Sequence, residues 1–355
     1  MPAGRKKVVV AMSGGVDSSV TAGLLIENGC DVEGVSLRLW EGHRQGPRNC
    51  SDYRGAKEVA EILGIRHTLV DERPEFAERV LKPFAAGYLG GRTPNPCVAC
   101  NRDFKFGTLL GWAKARGADY VATGHYARIV RGERKGENSL LRGVDQSKDQ
   151  SYFLFALSQD QLAHTLFPLG DFHKREVREK ATALGLPVAD RPESQDICFG
   201  DYKALVESFA GNGSRSGVIV DRSGKVLGYH QGVHTLTVGQ RKGLGISGSH
   251  PFYVLEIDQQ SNRVIVGDKN ELGSQGLVAS AVNWINVPDE DEISAEVQIR
   301  YRSRAIPCVA RSIGNGDWKV RFHEDFPSVT PGQAAVFYRG DQLLGGGWIT
   351  RAIRE

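Results

Sequence analysis

The sequence predicts an α/β protein: an open, doubly wound parallel sheet, then a small β-rich central domain and a C-terminal β-barrel. Three observations carry this reading. Strand and helix signals alternate through the first half, and a βαβα order yields an open parallel sheet with helices on both faces. A loop containing Ser13-Gly14-Gly15 falls between the first strand and the first helix. From Gly217 onward, short β-branched runs are separated by Gly, Asp and Asn turns, the texture of small β domains closing into a barrel. With 355 residues, two or three domains are expected at roughly 100–200 residues each. The expected divisions are 1–209, 210–272 and 273–355, with residues 212–217 as a linker.

The elements follow in order. The Val-rich run from Lys7 to Met12 suits a buried parallel strand. Val16, Val20 and Leu24 recur at helical spacing, and Gly29 closes that helix. A second strand spans Asp31–Trp40, a helix Ser51–Leu63 with Ser51 as N-cap, and a third strand Ile65–Val70. Helices are expected over Pro74–Tyr88 and Phe104–Arg116, and a further strand over Asp119–Thr123. Helical patterning continues to Phe209. Strands are then expected at Gly217–Val220, Phe252–Ile257, Arg263–Val266, Ala295–Arg300 and Ala334–Tyr338. Ligands in open parallel sheets bind at the carboxyl ends of the strands.

Composition narrows the class. Hydrophobic residues make up 40% and charged residues 25%, which excludes disorder, collagen and coiled coil for the whole chain. No run approaches 18 apolar residues, so no membrane span is expected. The basic N-terminus precedes only five apolar residues before Ser13 breaks them, too few for a secretory signal, so a cytoplasmic protein is expected. A net charge of +3 is weak evidence for a nucleic-acid partner. Six cysteines, at 30, 50, 97, 100, 198 and 308, are too sparse for a disulfide scaffold. Cys30 and Cys308 sit in structural contexts; the others invite chemistry.

The sharpest local signal is the stretch from Val10 to Ser19. Two glycines let the backbone turn its N–H groups toward an anion, the helix N-terminus adds partial positive charge, and Ser13, Ser18 and Ser19 add hydroxyls. This stretch is neither a Walker A loop nor a Gly-x-Gly-x-x-Gly fingerprint. The second signal, Arg92 to Phe106, places Pro94 and Pro96 before Cys97-Val-Ala-Cys100. Cys100 is expected near a helix N-terminus, where a thiol's pKa falls. The third is Glu193-Ser-Gln-Asp-Ile-Cys198-Phe199. The Cys-x-x-Cys pair alone allows half a zinc site, a redox pair, an iron–sulfur cluster with Cys198, or sulfur transfer.

Ser13-Gly-Gly-Val-Asp-Ser18 resembles the pyrophosphate-binding loop of the adenylating ATP pyrophosphatase superfamily. Further motifs follow it: Thr93-Pro-Asn-Pro-Cys-Val-Ala-Cys-Asn101, Thr123-Gly-His-Tyr126, Lys148-Asp-Gln-Ser-Tyr-Phe153 and Ser194-Gln-Asp-Ile-Cys-Phe199. Gly239-Gln-Arg-Lys-Gly-Leu-Gly245 and Pro331-Gly-Gln-Ala-Ala-Val-Phe-Tyr338 complete the set. In this order they resemble the tRNA-specific 2-thiouridylase family (tRNA-uridine 2-sulfurtransferase) over nearly the whole chain.

That resemblance implies an adenine nucleotide α-hydrolase-like first domain and ATP-dependent conversion of uridine 34 to 2-thiouridine in tRNAs for Glu, Gln and Lys. It implies that Ala11, Met12, Ser13, Gly14, Gly15, Val16, Asp17 and Ser18 bind ATP, with Asp17 near Mg²⁺ and with Leu37 and Gly124 as further ATP contacts. Asn95, Pro96 and Cys97 would line the target-base pocket. His125, Lys148, Asp149, Gln150, Arg300, Tyr301 and Gln333 would meet tRNA. Cys198 would carry a persulfide supplied by a cysteine desulfurase or a persulfide relay protein, with Cys100 as the second thiol, which would either attack the persulfide to release sulfide or resolve the turnover through a transient Cys100–Cys198 disulfide. Some members carry Asp at the position of Cys97, which puts a base role there in doubt. An iron–sulfur cluster on Cys97, Cys100 and Cys198 stays open at this point, and a monomer is expected.

Overall fold

A computed structural model describes residues 5–40, 52–133, 136–192, 197–211, 215–248, 250–287 and 290–354. Cys50, Ser51 and the Glu193–Asp196 part of the third motif lie outside the described residues. Two compact units emerge: residues 1–79, 97–200 and 341–344 form one, and residues 80–96, 201–340 and 345–355 the other. No described helix is long and apolar enough to cross a membrane.

The first unit holds β1 (Lys7–Ala11), β2 (Asp31–Arg38), β3 (Arg66–Asp71), β4 (Tyr120–Ala122), a hairpin of β5 (Ala127–Val130) and β6 (Ser139–Arg142), and β7 (Thr165–Leu166). The main sheet runs in the order β3-β2-β1-β4-β7, and every pairing in it is parallel. Val8, Val9 and Val10 are fully buried, as a strand covered on both faces must be. Val8, Val10 and Met12 share a core with α1 (Val16–Glu27), α2 (Tyr53–Ile62) and the helix Lys174–Ala183. Strand alternation turns Val9 to the opposite face. The order reverses direction at β1, with β2 on one side and β4 on the other. A ligand crevice therefore opens beyond the ends of β1 and β4.

The expected elements are present with shifted ends, and two differences bear on function. First, the hairpin β5–β6, which the sequence patterning hid, pairs with Gln342 and Leu343. Second, the helix after the prolines starts at Pro96 rather than Phe104. It runs through Pro96–Ala99, a π-wound segment Cys100–Thr108 and Leu109–Lys114. Cys97 and Cys100 thus lie inside a helix.

The π segment has local causes. Its hydrogen bonds span five residues, and Gly107 lies where a Cβ would come within 2.9 Å of the Arg102 carbonyl oxygen. Thr108 Oγ1 donates to the Asp103 carbonyl at 3.1 Å. Gln161 Nε2 donates to the carbonyls of both Arg102 and Phe106 at 2.9 Å. These bonds satisfy carbonyls that α winding would have used internally.

The second unit contains the helix Tyr202–Ala210 and a four-stranded sheet of β8 (Gly217–Val220), β9 (Val226–His230), β10 (Tyr253–Asp258) and β11 (Arg263–Gly267). Its order is β10-β11-β8-β9, over a core that includes Ile219, Val254, Val264 and Val266. Next come β12 (Gly273–Trp284), β13 (Glu292–Gln298), β14 (Ile306–Gly314), β15 (Asp317–Pro327), β16 (Ala334–Arg339) and β17 (Gln342–Ile353). They run in the order β12-β15-β14-β13-β16-β17, and β12 pairs back onto β17. The six strands therefore close into a barrel without exposed edges. Cys308 is buried in β14, the structural placement the sequence suggests.

Because Gly107 lets the helix take its wide turn, Gly107→Ala should destabilise the chain by about 1–3 kcal/mol. A urea denaturation midpoint equal to that of the parent chain would contradict this account.

Candidate active site

The sequence-predicted residues fall into both units. Ala11–Ser18, Leu37, Cys97, Cys100, Gly124, His125, Lys148, Asp149, Gln150 and Cys198 lie in the first. Asn95, Pro96, Arg300, Tyr301 and Gln333 lie in the second.

The phosphate loop is built as expected. β1 ends at Ala11, the chain turns through Gly14 at φ +77, and α1 begins at Val16 with Gly15 as N-cap and no side-chain cap. The first-turn N–H groups of a helix have no intrahelical acceptor, so this turn suits an anion. The loop is tied down from behind. Met12 N donates to the Val35 carbonyl at 2.8 Å, and Asp52 N to the Ser13 carbonyl at 2.9 Å. Arg191 Nη1 donates to the Gly14 carbonyl at 3.0 Å and also bonds Asp52. The hydroxyls of Ser18 and Ser19 are not presented outward as the sequence suggests. Both donate to the Gly15 carbonyl, at 3.1 and 2.9 Å. Ser13 is the exposed serine of the three.

Gly124 follows β4 and lies against the same turn. A Cβ there would come within 2.8 Å of the Asp17 backbone carbon and 2.9 Å of Ser18 N. Leu37 is a buried residue of β2. Asp17 accepts from Lys174 Nζ at 2.7 and 2.9 Å and from the Tyr126 hydroxyl at 2.8 Å. Lys174, absent from every sequence motif, is buried. No local pattern would have found it, since the pair is 157 residues apart.

The thiols gather beside this loop's neighbours. Phe199 packs against Phe76 at 6.4 Å, and Phe76 against Phe104 at 5.3 Å. Cys198 adjoins Phe199 and interacts electrostatically with Cys97 and Cys100. None of the five described cysteines is in a disulfide. Burial pushes both the Cys97 and Cys100 thiols up to about 12, and Cys198 adds to the rise. This corrects the expectation of a depressed Cys100 pKa. Cys100 is only 8% exposed, and desolvation outweighs the helix terminus. Lys105 opposes the rise at both thiols. Residues five apart share a face in a π turn, so the winding brings Lys105 over Cys100. Asn101 Nδ2 donates to the Phe153 carbonyl at 3.1 Å, anchoring this helix to the Ser151–Phe153 turn.

The candidate tRNA contacts are more embedded than their motifs suggest. His125 is buried, its Nδ1 2.7 Å from Thr123 Oγ1, between Phe106 and Phe167 at 5.9 and 5.8 Å. Burial, then Lys105, pushes its pKa well below the usual value. Asp149 is a buried anchor: Arg142, Gly143 N, Ser151 N and the Ser151 hydroxyl all donate to it. Gln150 Oε1 accepts from Tyr126 N at 3.2 Å, and Lys148 is half-buried. In the second unit, Gln333 Nε2 donates to the Thr93 carbonyl at 2.7 Å, and Thr93 N donates to the Pro331 carbonyl at 2.9 Å. The Pro331-Gly-Gln turn thereby holds the loop leading to Asn95 and Pro96. Arg300 and Tyr301 lie in a turn after β13, with Ser303 N donating to the Arg300 carbonyl at 3.0 Å.

Among the described residues no group of three or more His, Cys, Asp or Glu side chains is arranged to hold a metal ion. Cys97, Cys100 and Cys198 are all among the described residues. Asp17 is a single carboxylate, suited to a Mg²⁺ that brings most of its ligands as phosphates and water.

Two outcomes follow. Unfolded His125 takes up a proton near its ordinary pKa of about 6.5, whereas the folded residue resists it to lower pH. Its stabilisation is complete above that value and is lost as pH falls toward the folded pKa. His125→Gln should therefore narrow the loss of urea stability between about pH 7.5 and about pH 5.5; an unchanged loss would refute this. Lys105→Met should raise the Cys100 pKa further and slow iodoacetamide alkylation of the native chain at a fixed alkaline pH. The denatured chains should react equally.

The comparisons with known proteins agree. Residues 6–201 match the family described as tRNA methyl transferase HUP domain. Residues 209–268 match the tRNA methyl transferase PRC-barrel domain, and residues 274–349 the aminomethyltransferase beta-barrel domain. The chain is 50% identical to the tRNA-specific 2-thiouridylase MnmA of Geobacter metallireducens, over 99% of this chain and 98% of that protein. It is 47% identical to the protein of the same name from Carboxydothermus hydrogenoformans, over 99% of each. Among solved structures, the NMN synthetase of Francisella tularensis superposes with a TM-score of 0.35 and 19% identity, over 59% of this chain and 78% of that one. Likeness at the level of the two 2-thiouridylases, from end to end of each chain, means that the chain belongs to the tRNA-specific 2-thiouridylase family.

Proposed function

We propose that this chain is an ATP-dependent tRNA-uridine 2-sulfurtransferase that converts uridine 34 of tRNAs for Glu, Gln and Lys to 2-thiouridine. The observation that supports the reading is one compact unit holding both a glycine turn at the start of α1, suited to phosphate, and the thiols of Cys97, Cys100 and Cys198. The first activates a carbonyl oxygen; the second supplies sulfur.

The backbone of Ser13–Ser18 cradles the triphosphate, and Gly124 and Leu37 border the nucleotide. Asp17, together with the phosphates, would hold a Mg²⁺, which would supply charge neutralisation. The uridine C2 oxygen attacks the α-phosphorus, and pyrophosphate leaves. Asn95, Pro96 and Cys97 receive the target base, which must leave the anticodon stack to react. Backbone and side chains around His125, Lys148–Gln150, Arg300, Tyr301 and Gln333 meet the tRNA.

Cys198 carries a persulfide from a cysteine desulfurase or relay protein. Its terminal sulfur forms the bond to C2, and AMP leaves with the former oxygen. The Cys100 thiolate then attacks Cys198 Sγ, breaking the old S–S bond and leaving the thiocarbonyl on the base. The resulting Cys100–Cys198 disulfide needs a dithiol reductant for the next turnover. Lys105 supports the thiolates that burial disfavours. The three-domain division at 209 and 272, a monomeric state and a cytoplasmic location complete the proposal.

Iron-free protein, assayed with ATP, Mg²⁺, unmodified tRNA and a persulfide donor, should form 2-thiouridine. Cys198→Ser should abolish the thiouridine yet still release pyrophosphate when tRNA is added, and Cys100→Ser should abolish multiple turnover. Full thiolation by either variant would sink the assignment of the thiols.

A further inference from the structure

Lys174 is the feature of the phosphate site that the motifs leave unexplained. It is the first residue of the helix Lys174–Ala183, and its side chain is 10% exposed. Its backbone N–H donates to Asp145 Oδ2 at 3.0 Å, which fixes where the side chain begins. From there the ammonium reaches both carboxylate oxygens of Asp17. It also lies 5.7 Å from the centre of the Tyr126 ring.

Asp17 stands in the first turn of α1, where an entering polyphosphate would meet its negative charge. The helix terminus offers only about half an elementary charge in compensation. A cation is therefore needed, and Lys174 is placed there. Asp17 keeps a second partner if the ammonium departs, because the Tyr126 hydroxyl donates to Oδ1 at 2.8 Å. An ammonium on a flexible four-carbon stem can exchange one oxyanion for another without rebuilding the fold.

We propose that Lys174 is a further catalytic residue of the adenylation step, an ammonium that exchanges the Asp17 carboxylate for the triphosphate when ATP enters the loop. There it neutralises the charge that gathers on the departing pyrophosphate as the bond to the α-phosphorus breaks. This rests on the function proposed above. The bonds made and broken are those of that reaction, and no proton or electron is added.

The test separates a phosphate ligand from a mere counter-charge. Lys174→Met should weaken ATP binding at least about tenfold and slow tRNA-dependent pyrophosphate release about 100-fold or more. Adenosine binding and tRNA binding measured without nucleotide should stay as in the parent chain. Lys174→Arg, which keeps the charge, should recover part of the ATP affinity. The double variant Asp17→Asn, Lys174→Met decides the role when ATP binding is measured for all variants without Mg²⁺, so that loss of a Mg²⁺ carboxylate does not enter, and urea midpoints report whether each variant folds. If Lys174 touches phosphate, the double variant stays defective in ATP binding. If Lys174 only neutralises Asp17, the double variant recovers parental ATP affinity, and the proposal is overturned. Equal losses for adenosine and ATP would overturn it too, as would undiminished pyrophosphate release by Lys174→Met. A parent chain that releases no pyrophosphate with ATP and tRNA would overturn the underlying function, and the proposal with it.

Discussion

The close approach of the β4 end to the first turn of α1 is the constraint on which the rest of the first unit depends. A side chain at 124 would collide with the backbone of Asp17 and Ser18. With glycine there, the ends of β1 and β4 meet at the topological switch point of the sheet. The neighbours then fall into place. Thr123 orients His125, Tyr126 reaches Asp17, and the Tyr126 backbone is bonded at both its N–H and its carbonyl by Gln150. One short stretch, residues 123–126, thus touches the phosphate turn, the aromatic surroundings of Phe106 and the loop expected to meet tRNA.

The thiols depend on a second device, the wide winding after Cys100. α winding would place Lys105 on a different face from Cys100. The π register aligns them and gives the buried thiols one nearby cation. A thiol that rests protonated in a buried site is protected from adventitious oxidation, which depends on thiolate character and exposure. Phe199, the residue after Cys198, packs on Phe76 in the same unit.

In the second unit a similar economy operates. The barrel turn at Pro331–Gln333 holds the Thr93 backbone from both sides. The Pro-Asn-Pro loop and the helix start that follows are therefore set by a segment some 240 residues away. Gln333, expected as a tRNA contact, has a structural task as well.

Much was legible in the sequence because it is local. The first strand, the glycine turn and the first helix are contiguous, and Val-rich runs between turn residues read as buried parallel strands. The ordered motifs pointed to the family for the same reason. The helix start at Pro96 and the β5–β6 hairpin were not legible. The Pro331–Gln333 turn bonded to Thr93 and the pairing with Gln342 and Leu343 support them, and neither leaves a trace in nearby residues. The sequence by itself determined the family and the fold class, since these reside in ordered short motifs and local patterning. Only the tertiary structure decided that Lys174 and Tyr126 share Asp17, that burial raises rather than lowers the Cys100 pKa, and that Asp149 faces inward. Each of these depends on partners or solvent exclusion contributed by distant segments, and electrostatics is set by distance in space.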